Sequence, residues 1–201
     1  KTPPSLLGKG AGGLGPKWRS LAIDPALISD TIALDGDRLW MGGWRHLMWY
    51  DLPSGQIRQF TDEDAQGLSR VRIHDIRPSS RYVWVATDGG IYRYNKMDDT
   101  WWSYAPSRER GSKEVLVDRN IQAIAVGSEF VFFGTPRGVS RYDKVTDTWL
   151  NYTTKDGLVH ANVSSLLWQG DDLWIGTYGG VSRYNLSVDR WTNFTRSDGL
   201  C

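Results

Sequence analysis

The chain has 201 residues and a formal net charge of +1, so it has no basic excess with which to attract nucleic acid or an anionic membrane surface. No apolar stretch in it reaches the roughly 18 residues of a transmembrane helix, and its one cysteine, Cys201, excludes an intramolecular disulfide. Its 11 Trp, 9 Tyr and 22 Gly favour an all-β chain, because aromatic side chains suit pleated surfaces and glycine suits tight turns.

The first part of the chain carries little regular pattern. Residues 1–16 are rich in Gly and Pro, which is typical of a linker or an irregular leading segment. In residues 17–27, Trp18 and Leu21 stand three positions apart, as do the aromatic residues of later outer strands. We therefore predict an orphan outer strand and its connector in residues 17–27.

Four units of similar sequence fill the rest of the chain. Each has an aromatic anchor in an apolar run, and the anchors are 44, 48 and 42 residues apart: Trp40, Trp84, Phe132 and Trp174. Ten residues after each anchor stands a tyrosine: Tyr50, Tyr94, Tyr142 and Tyr184. Fixed offsets indicate a repeat architecture, with units at residues 28–70, 71–117, 118–158 and 159–201, the last including the start of a further connector. We predict that the anchors form the structural core together with Tyr94, Tyr142 and Tyr184.

Each unit contains four short strand patterns, labelled a to d, separated by turns such as residues 88–90 and 179–180. Strand b is apolar at successive positions, as at Leu173, Trp174 and Ile175, whereas a sheet with one wet face would alternate. Sheets stacked radially cover such a strand on both sides. The sequence therefore predicts an all-β fold, a β-propeller of four-stranded antiparallel blades.

The two ends of the repeat array bear on the size of the ring. Residues 197–200 repeat the connector motif of residues 155–158, which leads into a blade. Propellers close with about 4–8 blades, so a four-blade ring stays open as an alternative, but the connector favours four blades within a larger or multi-chain ring. Two uncovered blade faces would expose apolar patches, so we predict that the isolated chain is unstable or oligomeric.

The repeat unit LWIGTxGGVxRYNxxxDxWTNFTxxDGL, read from residues 173–200, resembles the two-component-regulator propeller repeat. The similarity is greatest in residues 159–200 and weakest in residues 28–68. The resemblance implies a propeller fold and, in the family's sensors, a periplasmic position ahead of a membrane helix and a histidine kinase. It thus implies a periplasmic or extracellular location in a bacterium and a possible role as the sensor part of a signalling protein.

Function is expected where the repeat is broken, on the face that carries the d-to-a connectors and the b–c turns around the channel mouth. The residues that depart from the repeat there form the predicted ligand- or partner-binding set: Trp44, Arg45, His46, Asp88, Arg108, Arg110, Arg137, His160 and Tyr178. Guanidinium, imidazole, carboxylate and aromatic groups together suit a small anionic or sugar-like ligand, or a segment of a protein partner. A solvated loop face without a ligand is the alternative.

Arginine recurs one residue before the strand-c tyrosine, as Arg93, Arg141 and Arg183. These side chains could form an anion-binding ring, but we predict that they pair or stack between blades near the rim.

The favoured function is a non-enzymatic binding or interaction module whose partners are a protein or the further blades that complete the ring. The alternative is a propeller-type lyase or hydrolase with His160 or His74 as the base at the channel mouth. The spacing of His and Cys supplies no metal-binding motif, so neither a metal nor a cofactor is predicted.

Overall fold

The computed structural model describes residues 29–106 and 116–200. The predicted orphan strand at residues 17–27, the segment 1–16, Arg108 and Arg110 lie outside the described residues. Sixteen strands form four sheets: β1 (Ser29–Asp35), β2 (Arg38–Gly43), β3 (His46–Asp51) and β4 (Ile57–Phe60) in sheet 1; β5 (Ile73–Pro78), β6 (Tyr82–Thr87), β7 (Gly90–Asn95) and β8 (Thr100–Tyr104) in sheet 2; β9 (Ala123–Val126), β10 (Phe130–Thr135), β11 (Gly138–Asp143) and β12 (Thr148–Tyr152) in sheet 3; β13 (Val163–Gln169), β14 (Asp172–Thr177), β15 (Gly180–Asn185) and β16 (Arg190–Phe194) in sheet 4.

Every sheet is an antiparallel meander in which the strands pair in chain order. The sheets pack face to face, and their first strands contact one another in succession: β1 with β5, β5 with β9, and β9 with β13. Four-stranded meanders that adjoin through their first strands are the blades of a β-propeller, which confirms the predicted fold class. We call the interfaces between consecutive sheets junctions 1–2, 2–3 and 3–4.

Strand b of each inner sheet is buried on both sides, as its unbroken apolar run requires. In β6, Val83 and Val85 pack into the core of junction 1–2 with Trp40, whereas Trp84 packs into junction 2–3 with Phe133. All five side chains are 0% exposed. A fully buried aliphatic or aromatic side chain stabilises the fold by about 1.5–3 kcal/mol, so the junctions supply most of the cohesion between sheets.

The anchors Trp40, Trp84 and Phe132 are fully buried, but Trp174, predicted to be core with them, is only partly buried. The reason is its place in the array, because Trp174 points away from sheet 3 and no further sheet of the described residues packs on that side. Its neighbour Leu167 is 59% exposed for the same reason.

Sheet 1 has the corresponding opening on its other side. Ile32 is 66% exposed, although Ile76 and Ile124, at the same register in sheets 2 and 3, are 0% and 1% exposed. The two terminal sheets thus each present an apolar face that the inner sheets bury.

The turn between strands c and d is fastened by a hydrogen bond that recurs in three sheets. The tyrosine hydroxyl donates to an aspartate five residues later, from Tyr94 to Asp99 at 2.7 Å and from Tyr184 to Asp189 at 2.6 Å. Asp99 and Asp189 have positive φ angles of 61° and 50°. Aspartate tolerates this left-handed backbone better than most residues, so one residue both closes the turn and positions the tyrosine.

Candidate functional site

The b–c turns share one backbone scaffold in sheets 2, 3 and 4. At the end of strand b, Thr87 Oγ1 donates to the carbonyl of Gly90 at 2.8 Å and accepts the N–H of Gly89 at 3.0 Å. Thr135 and Thr177 make the same bonds. Gly90 has φ 134°, and an added Cβ would stand 2.2 Å from the carbonyl oxygen of Tyr104, so the turn requires glycine there. The turn's displayed residues differ from sheet to sheet: Trp44 and Arg45, Asp88 and Gly89, Pro136 and Arg137, Tyr178 and Gly179.

The turn of sheet 1 is tied to the segment that leads into sheet 2. Trp44 forms an isolated antiparallel bridge with Arg72, and Arg45 donates from its N–H to the Val71 carbonyl and from Nε to the Ser69 carbonyl, each at 2.9 Å. The φ of Arg45 is 65°, a left-handed conformation that these bonds stabilise. The indole of Trp44 is 58% exposed, so a rigid backbone displays a solvent-accessible aromatic ring.

A charged network adjoins this turn. Arg72 donates from Nε to Asp30 at 3.0 Å, and its backbone N–H donates to the carboxylate of Asp88 at 3.0 Å. Arg119 reaches the Asp88 carbonyl from its Nε at 3.3 Å. Arg72 and Arg119 were not among the predicted site residues, because neither departs from the repeat in a way that sequence spacing reveals. The guanidinium of Arg72 is therefore paired with a carboxylate, whereas those of Arg45 and Arg119 bond to backbone carbonyls.

His46, one of the predicted ligand- or partner-binding residues, is buried in the structure. The side chain is 3% exposed, with Nδ1 3.2 Å from the Trp44 carbonyl and Nε2 3.4 Å from the hydroxyl of Ser29. His46 is the first residue of β3, and its imidazole contacts the turn before that strand and Ser29 of β1. Its role is therefore to support the Trp44 turn rather than to contact a ligand.

His160 and Tyr178 form a second exposed feature of the same face, in sheet 4 and the connector before it. Their rings stack with centroids 6.4 Å apart and an interplanar angle of 15°, and Tyr178 is 75% exposed. His160 Nδ1 accepts the backbone N–H of Asn162 at 3.1 Å, which helps to orient the ring beside Tyr178.

The other predicted positions connect less closely. His74, the second candidate base, bonds through Nδ1 to the Ile121 carbonyl at 2.9 Å and so links sheets 2 and 3. The side chain of Arg137 is exposed, and its backbone N–H donates to Thr135 Oγ1 at 3.0 Å. Within residues 29–106 and 116–200, no hydrogen bond joins Arg137 to Trp44, to Asp88 or to the stacked pair.

The strand-c arginines make three different contacts, all of them within the fold. Arg93 donates to the hydroxyl of Tyr142 in the next sheet at 3.0 Å. Arg141 donates to Tyr152 of its own sheet at 2.8 Å, and Arg183 to Asp172 at 2.7 Å. The bond from Arg183 is the main cause that lowers the pKa of the Asp172 carboxyl.

No set of three His, Cys, Asp or Glu side chains in the described parts of the chain could hold a metal ion. None of the helical turns in residues 29–106 and 116–200 has the length and apolarity that a membrane span requires.

No protein-family model matches the chain, and no curated protein matches it significantly. Solved structures do match. The extracellular domain of BT4673, described as a hybrid two-component system of B. thetaiotaomicron, aligns with TM-score 0.68 and 20% identity over 87% of this chain and 22% of that one. The extracellular domain of BT3049, described in the same terms, aligns with TM-score 0.65 and 19% identity over 82% of this chain and 24% of that one. The WD40 domain of Neurospora crassa Pan2 aligns with TM-score 0.55 and 10% identity over 82% of this chain and 51% of that one.

At these identities the likeness shows the fold alone. The protein is a set of β-propeller blades, similar in fold both to the extracellular domains of BT4673 and BT3049 and to a WD40 domain. The chain spans less than a quarter of the length of the two extracellular domains.

Proposed function

We propose that the chain is a non-enzymatic binding module that presents its b–c turns and d-to-a connectors to a ligand or a protein partner. The carrying observation is that the turns of sheets 2, 3 and 4 keep one hydrogen-bonded backbone while their exposed residues change, and that the turn of sheet 1 is held instead by its bonds to residues 71 and 72. Loops held by a rigid scaffold can vary their exposed residues without losing their backbone conformation, and binding sites are commonly formed by such loops.

The chemistry of the face favours an anionic ligand, including an acidic sugar. Arg45 follows Trp44 in the same turn, Arg72 forms a backbone bridge with Trp44, and Arg119 reaches the carbonyl of Asp88 in the next b–c turn. Guanidinium groups bind carboxylate, sulfate and phosphate in a bidentate manner. Trp44 and Tyr178 are flat, exposed rings on which a sugar or a peptide side chain could stack.

We further propose that the module works outside the cytoplasm as the sensor part of a bacterial signalling protein. Support comes from the repeat resemblance and from the two structural neighbours described as extracellular domains of hybrid two-component systems. Further propeller sheets, from the same or another chain, would cover the open faces around Trp174 and Ile32, because every equivalent inner position is buried.

The test is a binding screen by isothermal titration calorimetry with sulfated and carboxylated oligosaccharides and their neutral counterparts. We expect binding of an acidic member, weakened by Trp44→Ala or Arg45→Gln. Met97→Ala is the matched control, since Met97 is 79% exposed but lies in a c–d turn. Equal binding by neutral sugars, or equal weakening by the control, would contradict the proposal.

A further inference from the structure

A groove opens at the outer edge of junction 3–4, between strands β12 and β16. Its volume is about 470 Å³, within the range of roughly 300–1,000 Å³ that ligand sites occupy. The aromatic rings of Tyr152, Tyr184 and Trp191 line it together with Leu150 and the carboxylates of Asp156 and Asp189. Apart from Asp156, which lies in a d-to-a connector, its lining residues belong to strands c and d and to a c–d turn, so its role goes beyond the loop-face function proposed above.

In junction 1–2, the equivalent position is filled by the guanidinium group of Arg58. Arg58 pairs with Trp49 across β3 and β4 just as Leu150 pairs with Arg141 across β11 and β12, so Arg58 and Leu150 are equivalent. The guanidinium of Arg58 donates to Asp99 at 2.8 Å and 2.9 Å and to Asp64 at 3.0 Å. It also lies 4.7 Å from the centre of the Phe60 ring.

The first of the two carboxylates has an equivalent in junction 3–4 with the same orientation. In junction 1–2, Asp64 uses Oδ2 to accept the N–H of Thr61 at 2.8 Å, which leaves Oδ1 for Arg58. In junction 3–4, Asp156 uses Oδ2 to accept the N–H of Thr153 at 2.8 Å. Its Oδ1 makes no hydrogen bond within the described residues.

The second carboxylate is matched as closely. Asp99 accepts the Tyr94 hydroxyl at 2.7 Å while it also binds Arg58. Asp189 accepts the Tyr184 hydroxyl at 2.6 Å and forms no ion pair within residues 29–106 and 116–200. The groove therefore repeats both acceptors and the aromatic floor of junction 1–2, but Leu150 stands where the guanidinium comes from.

Junction 2–3 supplies its own guanidinium by another route. Trp102 occupies the position of Leu150 and stacks against Arg93, whose guanidinium carbon lies 4.5 Å from the ring centre. Arg93 then crosses the junction to the hydroxyl of Tyr142. In junction 3–4, Arg141 stays on its own sheet, bonded to Tyr152. Among the described residues, only the tyrosine–aspartate pair of this junction receives no guanidinium from the preceding sheet.

We propose that the groove of junction 3–4 binds an arginine side chain of a partner polypeptide, with the guanidinium between Asp156 and Asp189 as Arg58 sits between Asp64 and Asp99. Arginine fits better than lysine because its planar fork reaches two separate carboxylates and stacks on an aromatic ring. The two carboxylates outweigh the one positive charge of Arg141 at the groove's edge, so the electrostatic complementarity is retained.

The test measures binding of a blocked Gly-Arg-Gly peptide to the purified chain by calorimetry at low salt, with Gly-Lys-Gly and Gly-citrulline-Gly as comparisons. We expect the arginine peptide to bind most tightly and Asp189→Asn to weaken it about tenfold or more, as expected for loss of a charged hydrogen-bond acceptor. Asp147→Asn is the matched control, because Asp147 accepts Tyr142 in the equivalent turn of the occupied junction 2–3. The control should bind as the unaltered chain does.

A second variant fills the groove from within. Leu150→Arg restores the arrangement of Arg58, so it should abolish peptide binding and raise the melting temperature. Absence of arginine-peptide binding, equal binding of the lysine or citrulline peptide, or full binding by Asp189→Asn or Leu150→Arg would each overturn the proposal. None of these outcomes depends on the ligand of the loop face.

Discussion

The guanidinium of Arg93 crosses from one sheet to the next and donates to the hydroxyl of Tyr142 at 3.0 Å. On the way it lies 4.5 Å from the ring centre of Trp102 and 5.5 Å from that of Trp84. A single cation therefore joins aromatic rings of two sheets, and its removal should loosen junction 2–3 in particular.

We predict that Arg93→Leu lowers the free energy of unfolding by about 2 kcal/mol, from the lost hydrogen bond and cation–π contacts. Urea denaturation followed by circular dichroism measures the loss. Arg183→Leu is the control, because Arg183 pairs with Asp172 on the open side of sheet 4, where solvent screens the ion pair, so its loss should cost markedly less. A similar cost for both variants would show that the contact across the junction adds nothing.

Trp84 and Trp174 occupy equivalent positions of the repeat, but we expect them to contribute unequally to the free energy of unfolding. Trp84→Ala removes a fully buried ring and should cost about 3–5 kcal/mol. Trp174→Ala removes a partly exposed ring and should cost markedly less in a preparation that is monomeric. Thermal unfolding of the two variants under the same conditions measures the difference, and equal losses would mean that another sheet covers Trp174.

Alkaline pH should destabilise the fold through Tyr94, which is buried, and Tyr104, which is partly buried. Burial, and then the bond to Asp99, raises the pKa of Tyr94 from the ordinary 10.0 to about 12, and burial raises that of Tyr104 to about 12. A raised folded-state pKa means that the neutral phenol is favoured by folding. The stabilisation is thus complete below pH 10 and is lost as the pH rises through 12.

The measurement is the ultraviolet absorbance of tyrosinate during a pH titration, compared between folded and urea-unfolded chain. Tyr94→Phe should remove one late-titrating group from the folded curve. Coincident folded and unfolded curves would contradict the prediction.

The open faces of the terminal sheets predict self-association. Leu167 on sheet 4 is 59% exposed and pairs across the strands with Trp174, whose counterparts Trp84 and Phe132 in the inner sheets are buried in junctions. We expect the purified chain to be oligomeric by light scattering and Leu167→Asp to shift it towards monomer, because a charge there opposes sheet packing. Met97→Asp, in an exposed turn, should leave the distribution unchanged. A monodisperse monomer of the unaltered chain would refute the prediction.

The sequence predicts much of the fold because each sheet repeats the same residues at the same offsets. The strands, the burial of Trp40, Trp84 and Phe132, and the junction contact of Arg93 follow from that repetition. The repeat also predicts an uncovered face on each terminal sheet, but Trp174 was assigned to the core by analogy with the other anchors, although it lies on one of those faces. Sequence could not show that His46 is buried, because its side-chain direction depends on the left-handed turn at Arg45.

The candidate site was predicted less completely. Trp44 and Tyr178 stand out as breaks in the repeat, and both are exposed. Arg72 and Arg119 join the face only through the geometry of the connectors. The pairing of Asp64 with Asp99 through Arg58 was beyond sequence reasoning, because it links a connector of one sheet to a turn of the next.

In the threonine-anchored b–c turn, the residue that holds the backbone in place is not the residue whose side chain is exposed to solvent. Because Thr177 holds the turn through the carbonyl of Gly180 and the N–H of Gly179, the side chain of Tyr178 takes no part in maintaining it. Tyr178 can therefore be exchanged with little effect on stability. The surface chemistry of such a protein can change during evolution, or in the laboratory, sheet by sheet and without rebuilding its interior.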